Sequence, residues 1–136
     1  MIVSQGARIA RAIFFASVSL AAGSQAFAEC DPSEPLVITI KNMKFDPRDA
    51  VACAGQTIRW VNAESNAAMV HTVTADPALA KLPDSAALPE GAEPFDSGQI
   101  KPGESFEQVL TVAGDYRYFC KPHERMGHKG TISVVE

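Results

Sequence analysis

Several residue types are scarce in this chain of 136 residues, and each scarcity excludes a class of protein. Three cysteines are too few for a disulfide-dense miniprotein, and nine glycines and nine prolines are too few for a collagen-like or low-complexity chain. The 12 basic residues, set against 16 acidic ones, leave no positive footprint for nucleic acid. The length suits one domain and argues against a multidomain enzyme. What remains is a small domain with room for one specialised site.

The N-terminal 28 residues have the pattern of an export signal. Two arginines precede an apolar stretch at 12–22, which is long enough for a signal peptide and too short to span a bilayer. Ala26 and Ala28 stand at the minus-three and minus-one positions of an Ala-x-Ala cleavage site. We therefore predict a cleaved signal peptide over 1–28, a mature domain over 29–136, and a periplasmic or secreted location. The alternative is a buried or anchoring N-terminal helix.

The predicted mature chain is acidic and carries all three cysteines. The leader holds two of the 12 basic residues and none of the acidic ones, so cleavage leaves a net charge of −6. Export places Cys30, Cys53 and Cys120 where disulfides persist. Cys30 and Cys53 each stand beside a predicted strand, and a bond between them would stabilise the fold by about 3 kcal/mol through loop closure. Cys120 would then be a free thiol; three unpaired thiols are the alternative.

From residue 36 onward the sequence predicts β-structure. Apolar residues recur at every second position or in short β-branched runs, separated by Pro, Gly, Asn and Asp, and no window sustains the period of an amphipathic helix. Seven or eight short strands in about 100 residues predict an all-β Greek-key sandwich. Tyr116 is either a tyrosine corner or an ordinary core tyrosine. The predicted strands are 36–41, 49–53, 57–61, 70–74, 105–110, 115–119 and 131–135.

One stretch, residues 75–98, interrupts this pattern, and we call it the acidic flap. It contains four prolines, five acidic residues and one lysine, with at most a short helix near 77–81. Its length is too great for a hairpin connection, and loops of this length are either functional or solvated surface segments. The sequence leaves both possibilities open.

The histidines of the chain fall into two places. His71 lies in a predicted strand, whereas Cys120, His123, Met126 and His128 lie within nine residues of one another after a later strand. A single strand histidine or cysteine is ordinary packing, but a Cys-x-x-His-x-x-Met spacing directly after a strand is typical of copper ligands. A thiolate, two imidazoles and a weak thioether suit both oxidation states of copper and permit electron transfer with little rearrangement. We therefore predict one type 1 copper ion.

These motifs resemble the small blue copper proteins. The Gly-x-Tyr-x-x-x-Cys of 114–120, the Cys-x-Pro-His that follows, and the Trp-Val-Asn of 60–62, nine residues before His71, are similar to plastocyanin, pseudoazurin and amicyanin. The resemblance covers roughly the whole mature chain and is strongest in its C-terminal third. It implies a cupredoxin fold and one-electron transfer, with His71, Cys120 and His123 as equatorial ligands. The separation of Cys30 and Cys53 resembles the N-terminal disulfide of azurin.

The axial ligand departs from the pattern of this family. In plastocyanin and pseudoazurin the axial methionine is five residues after the loop histidine and two before a glycine, and that position here is His128, followed by Gly130. Met126, three residues after His123, fits the shorter amicyanin loop. We favour Met126 because a thioether is the usual weak axial donor, with His128 as the alternative. A strongly bound His128 would favour Cu(II) and lower the reduction potential.

Two neighbouring groups are expected to support the ligands. The backbone N–H of Thr72 is placed to donate to the Cys120 sulfur, and Asn62 is placed to fasten the loop that carries His71. Ordinary turn chemistry is the alternative for both.

Charges near the site indicate how a partner docks. Lys121, Arg125 and Lys129 form a basic ring around His123, which is the expected exit for the electron, whereas the acidic flap is negative. We predict a monomer that docks on an acidic face of a redox protein, such as a cytochrome or an oxidase or dehydrogenase subunit. Solvated loop charges with no docking role are the alternative.

The sequence thus predicts a periplasmic one-electron carrier that is not an enzyme. The first alternative is a periplasmic copper chaperone or copper-resistance protein, which would exchange its metal quickly with a chelator. The second is an enzyme with Cys120 as nucleophile, for which no oxyanion motif or third orienting residue can be assigned.

Overall fold

The computed structural model describes residues 31–136, which form two packed β-sheets. The predicted signal peptide and Cys30 lie outside the described residues. Within them, no helix is long and apolar enough to cross a membrane. Two short 3₁₀ helices lie at Pro77–Leu79 and Lys121–Met126. The strands are β1 (Leu36–Lys41), β2 (Lys44–Asp46), β3 (Asp49–Cys53), β4 (Gln56–Asn62), β5 (Thr74–Ala75), β6 (Phe95–Asp96), β7 (Ser105–Leu110), β8 (Gly114–Phe119) and β9 (Lys129–Val135).

The two sheets confirm the predicted all-β sandwich. The first has the order β2-β1-β4-β7 and the second the order β3-β9-β8-β5-β6. β1 pairs with β4, and β3 with β9, in parallel, whereas the other pairs are antiparallel. The described residues contain nine strands rather than seven or eight. The additional strands are β2 and β6, which contain one apolar residue each and so give no alternating pattern to detect.

The core lies between the sheets and is built on aromatic side chains. Trp60 is fully buried, and its ring packs against those of Phe95, Phe106 and Tyr118 at centroid distances of 5.5–6.1 Å. Offset and edge contacts of this kind contribute beyond the apolar area that they bury. The core therefore fixes β4, β7 and β8, and with them the end of the sandwich that carries His71 and Cys120.

Tyr116 is a tyrosine corner rather than an ordinary core tyrosine, the two roles that the sequence left open. Its hydroxyl donates to the carbonyl of Val112, four residues upstream, at 2.9 Å, while its ring is buried. This bond fixes the turn that leads into β8, the strand that ends directly before Cys120.

The predicted strand 70–74 is wrong in its extent, because the structure has only β5 there. His71 forms an isolated bridge with Ile100, but the backbone N–H of Thr72 donates to the Cys120 sulfur and that of Val73 to the Ser97 hydroxyl. These donors serve side chains instead of a β-ladder, so no regular strand forms. The segment therefore has an irregular backbone despite its strand propensity, because its N–H groups bond to side chains at the site.

Candidate metal centre

Four side chains from two parts of the chain converge at one end of the sandwich. His71, Cys120, His123 and His128 each offer one ligand atom, and these atoms all lie within 4.8 Å of one another. His71, Cys120 and His128 are completely buried, while His123 is partly exposed. The Cys120 Sγ lies 3.7 Å from Nδ1 of His71 and 3.4 Å from Nδ1 of His123. A thiol and three imidazoles therefore face one small volume.

A carboxylate that the sequence analysis missed fixes the orientation of His71. Nε2 of His71 lies 3.2 Å from Oε1 of Glu64, whose side chain is only 8% exposed. Burial acts to raise the pKa of Glu64, but hydrogen bonds from His71 and from the Met43 backbone outweigh it and lower the pKa. An ionised Glu64 accepts a hydrogen bond from the Nε2–H group of His71, so the Nδ1 atom keeps its lone pair for a metal. Glu64 lies in a polar loop with no periodicity, so no sequence signal singled it out.

The two expected supporting groups are confirmed. The Thr72 N–H donates to the Cys120 sulfur at 3.3 Å. The buried amide of Asn62 donates to the carbonyls of Met69 and Ile100, both at 2.9 Å, which ties together the segments flanking His71. Buried polar groups satisfied in this way hold a ligand in place before the metal arrives.

The loop after β8 brings the other three ligands inward. The N–H of His123 donates to the carbonyl of Cys120 at 3.1 Å, and the N–H of Cys120 donates to the carbonyl of His128 at 3.0 Å. Gly127 ends the 3₁₀ helix with a left-handed φ of 78°, a conformation that glycine adopts without a Cβ penalty. This reversal turns the chain back into the sandwich directly after Met126 and buries His128.

Met126, the axial ligand that the sequence favours, lies at the surface of the described structure. Its side chain is 68% exposed, and Gly127 reverses the chain directly after it. His128 occupies the interior instead, and neither of its ring nitrogens has a hydrogen-bond partner among the described residues. A buried imidazole without partners costs about 1–3 kcal/mol. A metal ion that accepts one of these lone pairs would remove part of that cost, so the side chains present fit a copper ion.

The pKa shifts of His128, His123 and Cys120 suit a metal site. Burial lowers the pKa of His128 to about 3, with further lowering by His71 and His123. Burial and the neighbouring His71 also lower the pKa of His123. These imidazoles are therefore neutral donors at neutral pH. Burial raises the pKa of the Cys120 thiol, so metal binding must release its proton.

Comparison with known proteins agrees with this donor set. A family profile described as copper-binding proteins of the plastocyanin/azurin family matches residues 34–135. The chain belongs to this family. Plastocyanin and amicyanin, both electron carriers, are among the relatives of this cupredoxin. The cluster of His71, Cys120, His123 and His128 fits a type 1 copper site.

Individual relatives give the extent of the similarity. Plastocyanin of Scenedesmus fuscus is 37% identical over 94 residues, which cover 66% of this cupredoxin and 85% of the relative. The structure of an oxidised amicyanin variant aligns with a TM-score of 0.55 at 26% identity, covering 74% of this chain and 81% of the other. A purple cupredoxin from Nitrosopumilus maritimus aligns with a TM-score of 0.56 at 22% identity, over 74% and 99% of the two chains, which shows the fold alone.

The acidic flap is attached to the ligand loop of this cupredoxin through Glu124. This side chain, next to His123, is 3% exposed and accepts hydrogen bonds from the backbone N–H groups of Lys81 and Leu82 at 2.9–3.2 Å. Burial acts to raise the pKa of Glu124, but hydrogen bonds from the flap outweigh it and lower the pKa. The flap is therefore not merely a solvated segment, because its first half anchors the copper-ligand loop.

Removal of the Glu124 carboxylate is expected to destabilise the fold. Glu124→Ala leaves the N–H groups of Lys81 and Leu82 without their acceptor, and we expect the free energy of unfolding to fall by about 2–4 kcal/mol. Glu124→Gln keeps one acceptor oxygen and should lose less. Urea unfolding of the metal-free protein measures both, with the exposed flap residue Glu93→Ala as control. A loss in Glu124→Ala no greater than in the control would contradict the anchoring role.

The second half of the flap is attached by Asp96. Its carboxylate pairs with the Lys121 ammonium and accepts from the Thr74 hydroxyl. Burial acts to raise the pKa of Asp96, but hydrogen bonds from Lys121 and Thr74 outweigh it, so the pKa is lowered. Both ends of the flap are thus held by carboxylates next to the ligand loop.

A lowered folded-state pKa makes the contribution of Asp96 depend on pH. The stabilisation is fully present above the unfolded pKa of about 3.9 and is lost as the pH falls through the lower folded pKa. We expect Asp96→Asn to reduce the free energy of unfolding by about 1 kcal/mol at pH 7 and by progressively less below pH 4. Urea titrations at pH 7 and pH 3 measure the difference, with Glu93→Gln as the exposed control. A deficit that grows toward acid pH would refute this assignment.

Proposed function

We propose that this protein is an exported one-electron carrier and that its single type 1 copper ion would be held by His71, Cys120, His123 and His128. The observation that carries the proposal is the convergence of these four ligand atoms within 4.8 Å at a largely buried site. When bound, copper supplies a reversible one-electron couple.

The residues of the chain prepare the site for rapid electron transfer. Glu64 holds the His71 ring, and the Thr72 N–H donates to the Cys120 sulfur, so both ligands are positioned independently of the metal. Burial of the ligands excludes water, which limits rearrangement between oxidation states. The Thr72 hydrogen bond also withdraws charge from the thiolate, which favours the reduced state. His128 opposes this effect because a third imidazole favours Cu(II).

The N-terminal sequence supports a location outside the cytoplasm. The pattern of 1–28 is that of a cleaved signal peptide, and we propose a periplasmic location with a disulfide between Cys30 and Cys53. Cys120 is a free thiol, as a copper ligand must be. We further propose that the protein acts as a monomer, exchanges electrons with a redox protein such as a cytochrome or an oxidase or dehydrogenase subunit, and is not itself an enzyme.

Burial of the ligands favours an electron carrier over a copper chaperone. A chaperone must release its ion to a chelator or partner within its working time, which requires accessible ligands. Here His71, Cys120 and His128 are 0% exposed, and Asn62 and Glu64 brace the segment that carries His71. Retention of the ion is therefore the expected behaviour.

Addition of one equivalent of Cu(II) to the mature protein tests the proposal. We expect an intense visible band from thiolate-to-copper charge transfer, a reversible one-electron wave in voltammetry, and retention of copper for hours in excess chelator. Displacement of the band toward the blue or green range would accompany a strong His128 bond. A colourless protein would refute a type 1 site, and a coloured protein that loses copper within seconds would support copper handling instead.

A further inference from the structure

Four basic side chains surround two adjoining surface depressions beside the ligand loop, and we call them the basic groove: Lys41, Lys44, Arg48 and Lys129. One depression of about 250 Å³ is lined by Lys44, Arg48 and Lys129, and the other, of about 360 Å³, by Lys41, Lys44 and Arg48. Phe45 lies beneath both. None of the four cations forms an ion pair with a described acidic residue, and Asp46 is the one acidic residue in the two linings.

The local sequence of the groove is unfavourable for stability. Lys41 and Lys44 are direct cross-strand neighbours in the β1–β2 hairpin, where like charges repel. The hairpin turn places Asn42 and Met43 at φ values of 53° and 55°, a left-handed conformation that costs about 1–3 kcal/mol at a residue such as methionine. Unpaired like charges on a strained turn indicate a role other than folding.

The predicted basic ring has two further members, Lys121 and Arg125. Lys121 is paired with Asp96, whereas Arg125 forms no ion pair with a described acidic residue. The whole chain has a net charge of −4, so the groove stands out against an acidic background. The cations next to the ligand loop that have no acidic partner among the described residues are therefore Arg125 and the four residues of the basic groove, and Lys121 is not one of them.

The groove is in contact with the metal centre from two sides. The ring of Phe45 packs against that of His128 at a centroid distance of 4.2 Å. At the tip of the hairpin, the Met43 N–H donates to Glu64, which holds His71. A partner seated on the groove would therefore lie one side chain away from two ligands.

We propose that the basic groove is a docking surface for an acidic face of the redox partner, an inference that rests on the proposed function. In the docked complex one electron leaves the reduced protein and reduces the one-electron centre of the partner, with no bond made or broken. Charge complementarity argues for an acidic protein. A lipid surface fits less well, because Phe45 is only 3% exposed and offers no ring for insertion, and the net negative charge repels an anionic membrane.

Hexacyanochromate(III), a redox-inert paramagnetic trianion, tests the location of the docking surface. Added to the reduced Cu(I) protein, it should broaden the amide NMR signals of residues 41–48 and 127–129 before any others. The full chain without metal should give the same pattern, because the groove contains no ligand. Broadening centred on Lys121 and His123, or spread evenly over the surface, would overturn the proposal. If the NMR signals of the groove broaden in a protein that does not bind copper, the docking surface is supported although the proposed electron-carrier function has failed.

Charge reversal then tests the role of the groove in electron transfer. Hexacyanoferrate(III) serves as an anionic oxidant of the reduced protein, followed by stopped-flow absorption. Lys44→Glu should lower the second-order rate about threefold to tenfold and weaken its dependence on salt, with the reduction potential unchanged. Lys101→Glu, the same charge change outside the groove, should have a smaller effect. Equal rates for both variants would refute docking of an acidic protein on the groove. The same conclusion would follow if the wild type and Lys101→Glu bound phosphatidylglycerol vesicles and Lys44→Glu did not.

Discussion

Cys120→Ser is expected to abolish the intense visible band of the copper-loaded protein. The band arises from charge transfer between a thiolate and Cu(II), and Cys120 is the free cysteine among the described residues. Its sulfur lies 3.4–3.7 Å from the Nδ1 atoms of two histidines, so no other sulfur can replace it in the same geometry. A serine oxygen of similar size would preserve the loop and remove the thiolate. Visible absorption and electron paramagnetic resonance spectra of the two copper-loaded proteins measure the change.

Met126→Leu is the matched control for this experiment. Met126 is the other sulfur in the ligand loop, but its side chain is 68% exposed, and leucine has a similar volume. The variant should keep the band and the redox couple of the wild type. A Cys120→Ser protein with an undiminished band would refute the ligand set, since the chromophore would then belong to another group.

The convergence of His71, Cys120 and His123 was predictable because it is local or set by strand order. Cys120 and His123 are three residues apart in one tight loop, and the spacing alone brings their side chains together. His71 comes from a distant part of the chain, three residues before β5. Because β5 pairs with β8, His71 lies close to the loop that follows β8. Resemblance to known copper proteins supplied the same three residues, so two kinds of argument agreed.

Residue preference alone did not predict which side chain of the loop after Cys120 lies in the interior of the described structure. Thioethers are common axial donors, which favoured Met126, but the direction of each side chain depends on the backbone around it. The left-handed Gly127 reverses the chain after Met126, so the thioether lies outside and the imidazole of His128 lies inside. The glycine was visible in the sequence, whereas its φ value was not.

Long-range polar contacts were also beyond the sequence. Glu64 lies in a loop and Glu124 in the short 3₁₀ helix after β8, and their partners are 7 and 42–43 residues away. Neither apolar periodicity nor spacing predicts such pairs, because they depend on how separate loops meet. The same is true of the basic groove, which unites the β1–β2 hairpin with Lys129 from β9. The linear pattern indicated a basic ring after Cys120, but Asp96 neutralises Lys121 in that ring.

His128→Met is expected to raise the reduction potential and to shift the spectrum toward that of a blue copper protein. With His128 bound, three imidazoles and a thiolate favour Cu(II), and a thioether in the same position would bind Cu(II) more weakly and Cu(I) comparatively better. Each tenfold change in the ratio of the two affinities moves a one-electron potential by about 59 mV, so we expect a rise of at least that size. Methionine fits this interior position as an adaptable apolar side chain against Phe45.

Voltammetry of the wild type, His128→Met and Met126→Leu distinguishes the two possible axial ligands. If His128 is the ligand, only its substitution moves the potential and the spectrum, because the exposed Met126 does not touch the copper. If Met126 folds inward when copper binds, as the amicyanin-like spacing predicted, Met126→Leu would alter both quantities and His128→Met would change little. That second result would make His128 a buried imidazole without hydrogen bonds, whose replacement by an apolar side chain should then increase the free energy of unfolding of the metal-free protein.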